Sequence, residues 1–166
     1  MPRTIFAFVL MTLFGLALGS TPNAVDAAPA AAKPFDPLLG WWKGEGRLGF
    51  ENGKTEAVKC RATYKLLNDS NVLRQLVRCA SASGKVEIES KILGDGDLLS
   101  GTWAERTHKI SGQLDGKILP HGFRVFVTGQ EIQANMTVLV RGARHVIEIQ
   151  FLNSALVGLT LVFNRG

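Results

Sequence analysis

Six residues capable of chemistry fall on one alternating face of this chain: Tyr64, Gln75, Ser90, Trp103, Glu105 and His145. A few such polar groups set in an apolar wall are how binding cavities orient a ligand. Glu105 and His145 are ionisable, and a neutral imidazole at His145 could ligate a metal or haem iron. No acid–base or nucleophile constellation is visible. The three histidines and two cysteines lack zinc-site spacing. No Gly-x-Ser-x-Gly elbow, phosphate loop or dinucleotide glycine pattern accompanies them. The expectation is therefore binding, with no catalytic residue and no metal ligand set. A plainer reading stands beside it. Tyr64 lies opposite Gln75 and Gln75 opposite Ser90, so that row can satisfy itself, and strand-end positions would leave Glu105 and His145 wet.

The elements that would position these groups are strands. After Pro37, apolar and polar residues alternate in short runs broken by Gly, Asn, Asp or Pro. Ten strands are predicted, near 41–50, 56–66, 72–80, 85–93, 97–106, 109–118, 122–128, 131–141, 144–151 and 155–164. Inward residues meet inward residues across the hairpins, as a half-buried sheet requires. The predicted partners include Cys60 with Cys79, Tyr64 with Gln75, Trp103 with Gly112, Val140 with His145 and Val138 with Ile147. A three-residue loop at Asn52-Gly53 would set Trp42 opposite Tyr64 and Leu48 opposite Val58. A turn at Gly129-Gln130 would pair Val127 with Ile132, Val125 with Ala134 and Phe123 with Met136, and Ile88 would face Trp103. Short connections and one apolar face predict an all-β, up-and-down antiparallel barrel, because closure removes exposed edges. Inward glycines such as Gly44, Gly101 and Gly112 leave room for a cavity, unless Trp103 and Phe123 fill it.

Two rows of outward charge follow from the same register. Glu45, Arg61, Arg78 and Glu87 form a balanced one. Lys65, Arg74 and Lys91 form one with no acid inside it, a candidate surface for an anionic envelope component. The net charge of +5 is too mild to imply nucleic acid.

Met1-Pro2-Arg3 followed by an apolar run to about Gly19 reads as a signal peptide, with cleavage after Val25-Asp26-Ala27. The predicted organisation is a signal peptide over 1–27, a linker over 28–36 and a barrel domain over 37–166. Cleavage leaves about 139 of the 166 residues, one domain's worth. A periplasmic or secreted, monomeric protein is expected, and two cysteines there suggest one disulfide, Cys60–Cys79.

Leu38-Leu39-Gly40-Trp41-Trp42-Lys43-Gly44-Glu45-Gly46 resembles the first-strand signature of the nitrobindin-type haem-binding barrels, and Gly40-x-Trp42 resembles the lipocalin Gly-x-Trp. The resemblance implies a ten-stranded calycin-like barrel in which Trp42 packs at the closed end beneath Arg165. The nitrobindin-like family holds haem through a His near the start of its last strand. Here that strand, Ala155 to Arg165, contains no His. The resemblance thus carries the fold and the Trp42/Arg165 end, and no cofactor. The expected function is carriage of a small apolar or amphipathic molecule in the lumen. The rivals are an envelope or protein interaction module with a filled core, and an outer-membrane barrel. The charged outward rows in mid-strand argue against the last.

Overall fold

A computed structural model describes residues 33–68 and 71–166; the predicted signal peptide and the predicted linker up to residue 32 lie outside the described residues. A short 3-10 helix (Asp36–Leu38) precedes ten strands: β1 (Gly40–Phe50), β2 (Thr55–Leu66), β3 (Val72–Ala80), β4 (Lys85–Asp95), β5 (Leu98–Glu105), β6 (Ile110–Leu119), β7 (Gly122–Gly129), β8 (Gln133–Arg141), β9 (Arg144–Leu152) and β10 (Leu156–Arg165). Each strand pairs antiparallel with its sequence neighbours, and β10 pairs back onto β1, so the barrel is closed. Alternation drives this. Along β2 the inward Val58, Cys60, Ala62 and Tyr64 are buried while Lys59, Arg61 and Lys65 are exposed.

Register follows the turn chemistry. The pairings predicted between β2 and β3, β3 and β4, β5 and β6, and β8 and β9 are present, including Cys60 with Cys79 and Val140 with His145. Three hairpins depart from expectation by two residues. Trp42 faces Ala62 and Gly46 faces Val58, because the β1–β2 turn centres on Asn52, whose Oδ1 accepts the Lys54 N–H at 3.0 Å. Val127 faces Ala134, Val125 faces Met136 and Phe123 faces Val138, because the β7–β8 turn is Gln130-Glu131, closed by the Gly129 N–H on the Ile132 carbonyl at 2.8 Å. Ile88 faces Glu105, and Ser90 faces Trp103, because the β4–β5 turn is Gly96-Asp97, with Gly96 at φ +56°. A two-residue slip moves a row along the strand without exchanging faces. The predicted inward set therefore survives every correction.

Cys60 and Cys79 are disulfide-bonded across directly paired positions, with Cα atoms 4.1 Å apart. Their 19-residue separation means that the bond constrains the unfolded chain, so reduction is expected to cost about 3 kcal/mol. Thermal melts with and without reductant check this. An unchanged melt after full reduction, verified by alkylation and intact mass, would contradict it.

Meander topology sorts the turns into two ends. The 3-10 helix, the end of β10 and the β2–β3, β4–β5, β6–β7 and β8–β9 turns share one end. The other five turns share the opposite one. The first end is plugged. Phe35 and Leu38 are buried there, so Phe35, inside the stretch read as linker, is part of the folded barrel. Trp42 is completely buried, and its Nε1–H donates to the Leu38 carbonyl at 2.7 Å. The Arg165 guanidinium lies 4.4 Å from the Trp42 ring centroid and donates to the carbonyls of Leu39 (2.7 Å) and Pro37 (2.9 Å).

Candidate ligand cup

The inward side chains change character along the barrel axis. Toward the plugged end Leu73, Ile92, Phe123, Val125, Val138 and Phe163 are buried. Toward the opposite mouth the inward Leu48, Ile88, Met136, Ile149, Phe151 and Leu159 are only partly buried. These belong to five strands, β1, β4, β8, β9 and β10, so the apolar lining of the mouth runs along four adjacent strands and recurs at β4. The barrel thus has a sealed floor and a partly exposed apolar mouth, together termed the cup.

The inward glycines do not hollow it out as their small volume suggests. A Cβ on Gly44 would lie 2.5 Å from the Phe163 ring, so that space is already taken. One on Gly112 would meet the Thr128 carbonyl at 1.7 Å, which marks close approach of neighbouring backbone. Trp103 packs over Gly129 in the same way and donates its Nε1–H to the Thr128 carbonyl at 2.9 Å.

His145 belongs to the floor and is not wet, despite starting β9. It is 1% exposed. Its ring stacks on Phe163 (centroids 4.5 Å apart) and meets the edge of Trp42 at 4.5 Å. Tyr64 Oη lies 3.2 Å from His145 Nε2. The Tyr64 hydroxyl thus reaches across to β9, and the Tyr64–Gln75–Ser90 row does not close on itself. His145 Nδ1 is buried with no hydrogen-bond partner. Burial first, and the Arg165 charge second, push the imidazole down to about 4. Burial also pushes the Tyr64 phenol up. At neutral pH both are uncharged, and a phenol–imidazole hydrogen bond joins them.

This arrangement does not fit haem. Phe163 covers one face of the imidazole, Trp42 its flank and Tyr64 its Nε2. The free Nδ1 is itself fully buried, so the imidazole offers no exposed nitrogen to a haem iron.

Glu105 stands at the opposite end, last in β5, so it and His145 form no acid–base pair. It is 4% exposed and fully engaged. Its carboxylate accepts the backbone N–H groups of Glu87 (3.0 Å), Thr107 (2.8 Å) and His108 (2.6 Å), and approaches His108 Nδ1 at 2.8 Å. Burial alone would raise its pKa. The hydrogen bonds from His108, Glu87 and Thr107 outweigh burial and hold it at about 2. Glu105 therefore ties the β5–β6 turn to β4. Glu105→Gln points a donor at donors and is expected to cost about 1–3 kcal/mol, read by thermal melting. An unchanged melt would remove this role.

Gln75, Ser90 and Trp103 are buried on the inward wall between these ends, 5–7% exposed. The partly buried apolar ring at the mouth carries more accessible lining than any of the six polar candidates. The alternation of strand residues was its only sequence signal. Outside, Lys65, Arg74 and Lys91 are in register as expected. However, Glu89 reaches diagonally to Arg74 at 2.7 Å and also pairs with Arg106, so the row does contain an acid. No group of three or more His, Cys, Asp or Glu among the described residues could hold a metal ion.

No protein-family model matches the chain, and no curated protein matches it. Solved structures share its fold. The M. tuberculosis protein Rv2717c superposes with a TM-score of 0.66 at 16% identity, over 85% of this chain and 99% of that one. An S-type phycobiliprotein lyase from Guillardia theta does so with a TM-score of 0.55 at 11% identity, over 80% and 90%. These likenesses are of fold alone; in this chain that fold is a closed ten-stranded antiparallel barrel.

Proposed function

We propose that this protein is an exported carrier that binds one small apolar or amphipathic molecule in its cup, without catalysing a reaction on it. The observation that carries the reading is the contrast between the two ends. One is sealed by Phe35, Leu38, Trp42 and Arg165, while the other presents a partly exposed apolar lining from five strands. An apolar molecule entering there removes that lining from water, at roughly 25 cal/mol per Å² buried. Because the cup wall carries few free polar groups, shape and apolarity decide what binds. The nitrobindin-like opening segment belongs to this reading as the floor that Trp42 and Arg165 build. The Cys60–Cys79 bond and the leading signal pattern support an oxidising compartment.

Titration of the mature protein with a polarity-sensitive dye and with fatty acids tests the carrier role. The expected result is saturable one-to-one binding in which the fatty acid displaces the dye. Ile149→Trp, which fills the mouth, should abolish binding while the protein still melts cooperatively. Absence of saturable binding for every apolar probe would overturn the carrier and leave an interaction module with a filled core. N-terminal sequencing of the exported protein should begin at Ala28.

A further inference from the structure

The corrected β1–β2 register changes the outer surface. Lys43, not Glu45, lies opposite Arg61. Following hydrogen-bonded partners around the barrel from β8 gives Arg141, Arg144, Asn164, Lys43, Arg61 and Arg78 before an acid appears at Glu87. Five of these six positions are cationic, the sixth is Asn, and all six are exposed. Like charges directly opposite one another across strands are unfavourable, so the barrel gains nothing from this row. Among the ion pairs of the described residues, only Arg78 of the belt takes part, with Glu87 at 2.6 Å, and Glu87 is shared with Arg106. The next outward row adds Lys59 and Lys85 against Glu45. Along β1–β4 the belt runs beside a groove of about 920 Å³ lined by Lys43, Lys59, Arg61, Arg78 and Lys85 with Glu45 and Glu87.

We propose that this belt binds a linear acidic polysaccharide, whose sulfate or carboxylate groups meet the cations in turn. Shape favours this partner. The belt crosses six of the ten strands, on the order of 24 Å of arc at ~4.8 Å per strand. A planar bilayer touches only a few neighbouring strands of a cylinder, whereas a linear polyanion follows the curve. Single-stranded nucleic acid wants a series of aromatic platforms for its bases. The aromatic beside the belt is Trp41, and Lys43 already lies over its ring at 5.1 Å from the centroid.

The test uses the mature protein with heparin as the sulfated polysaccharide, titrated over a range of salt, against oligo-dT and phosphatidylglycerol vesicles. The triple variant Lys43→Gln, Arg61→Gln, Arg144→Gln removes three belt charges. Lys109→Gln, Lys117→Gln, Arg124→Gln removes three charges from β6, β7 and a turn, outside the belt. Heparin binding should weaken with salt, and the belt variant should bind at least about tenfold more weakly with a shallower salt dependence. The control variant should stay within about twofold of the parent. Equal losses in both variants would reduce the effect to net charge and overturn the belt. Tighter binding of oligo-dT or of vesicles than of heparin at matched salt would overturn the polysaccharide. Melting curves accompany each variant. If the triple variant melts early, the single variants Arg61→Gln and Arg144→Gln carry the same comparison. Dye binding in the cup is read on the same samples, so a failed belt and a failed carrier are told apart.

Discussion

Trp42→Ala melts far below the parent protein, with an expected loss of about 3–5 kcal/mol. The ring is completely buried and touches His145, and its Nε1–H holds the Leu38 carbonyl that ends the 3-10 helix. Truncation leaves a large void, frees a buried carbonyl and removes the surface on which Arg165 lies. Trp42→Phe keeps most of the volume and should lose much less. Arg165→Ala should fall between them, through lost stacking and through two carbonyls, Leu39 and Pro37, left without their donor. Chemical denaturation of the three variants gives the ranking. A Trp42→Ala protein as stable as the parent would mean that the floor is not held by this ring.

Acid is expected to destabilise the protein in two stages. The His145 imidazole sits at about 4 in the folded state against an ordinary value near 6.5. Its folded pKa is depressed, so the unfolded chain takes up a proton before the folded one does. The stability from a neutral His145 is present above about pH 6.5 and is lost as pH falls to about 4. The loss approaches about 3 kcal/mol, at 1.36 kcal/mol per pKa unit. Protonation there meets Arg165 as the nearest cation, and the surrounding Phe163 and Trp42 rings offer no carboxylate. Glu105 acts in a lower window. Its carboxylate, held at about 2, adds stability that is lost as pH falls from about 4.5 toward 2. Denaturant midpoints measured from pH 7.5 to 2.5 should therefore fall first between 6.5 and 4. His145→Phe should flatten that first fall and leave the second. If His145→Phe keeps the same pH profile, the imidazole is not the group responsible.

Faces were legible in the sequence, and rows were not. Parity along a strand is read directly from alternation, so every residue expected to point inward does so, His145 and Glu105 included. Which inward residue meets which depends on the turn, and turns are decided by local details such as Asn52 accepting the Lys54 N–H. Three slips of two residues followed, and one of them hid the cationic belt by placing Glu45 where Lys43 belongs. Depth was also illegible. His145 lies next to a turn and reads as wet. It is dry because Pro34 to Leu38, too short to show any period, folds over that end. The cup's apolar lining was visible as a pattern of strand residues, but its access to water at one end only came from the structure.

The seam between β1 and β10 sets the timetable of folding. Every other pairing joins strands adjacent in sequence and can form locally as the chain emerges. The seam joins Trp42 to Arg165 and Gly44 to Phe163, positions more than a hundred residues apart. Until the last strand arrives, the nine others form an open sheet with two raw edges, the kind that pairs with other chains. Its closure also carries the largest loop cost, so it is expected to be the slow step. A chain lacking its final ten residues forfeits both the seam and the Arg165 contacts with Pro37 and Leu39. Such a chain should aggregate, and it cannot persist as a smaller barrel.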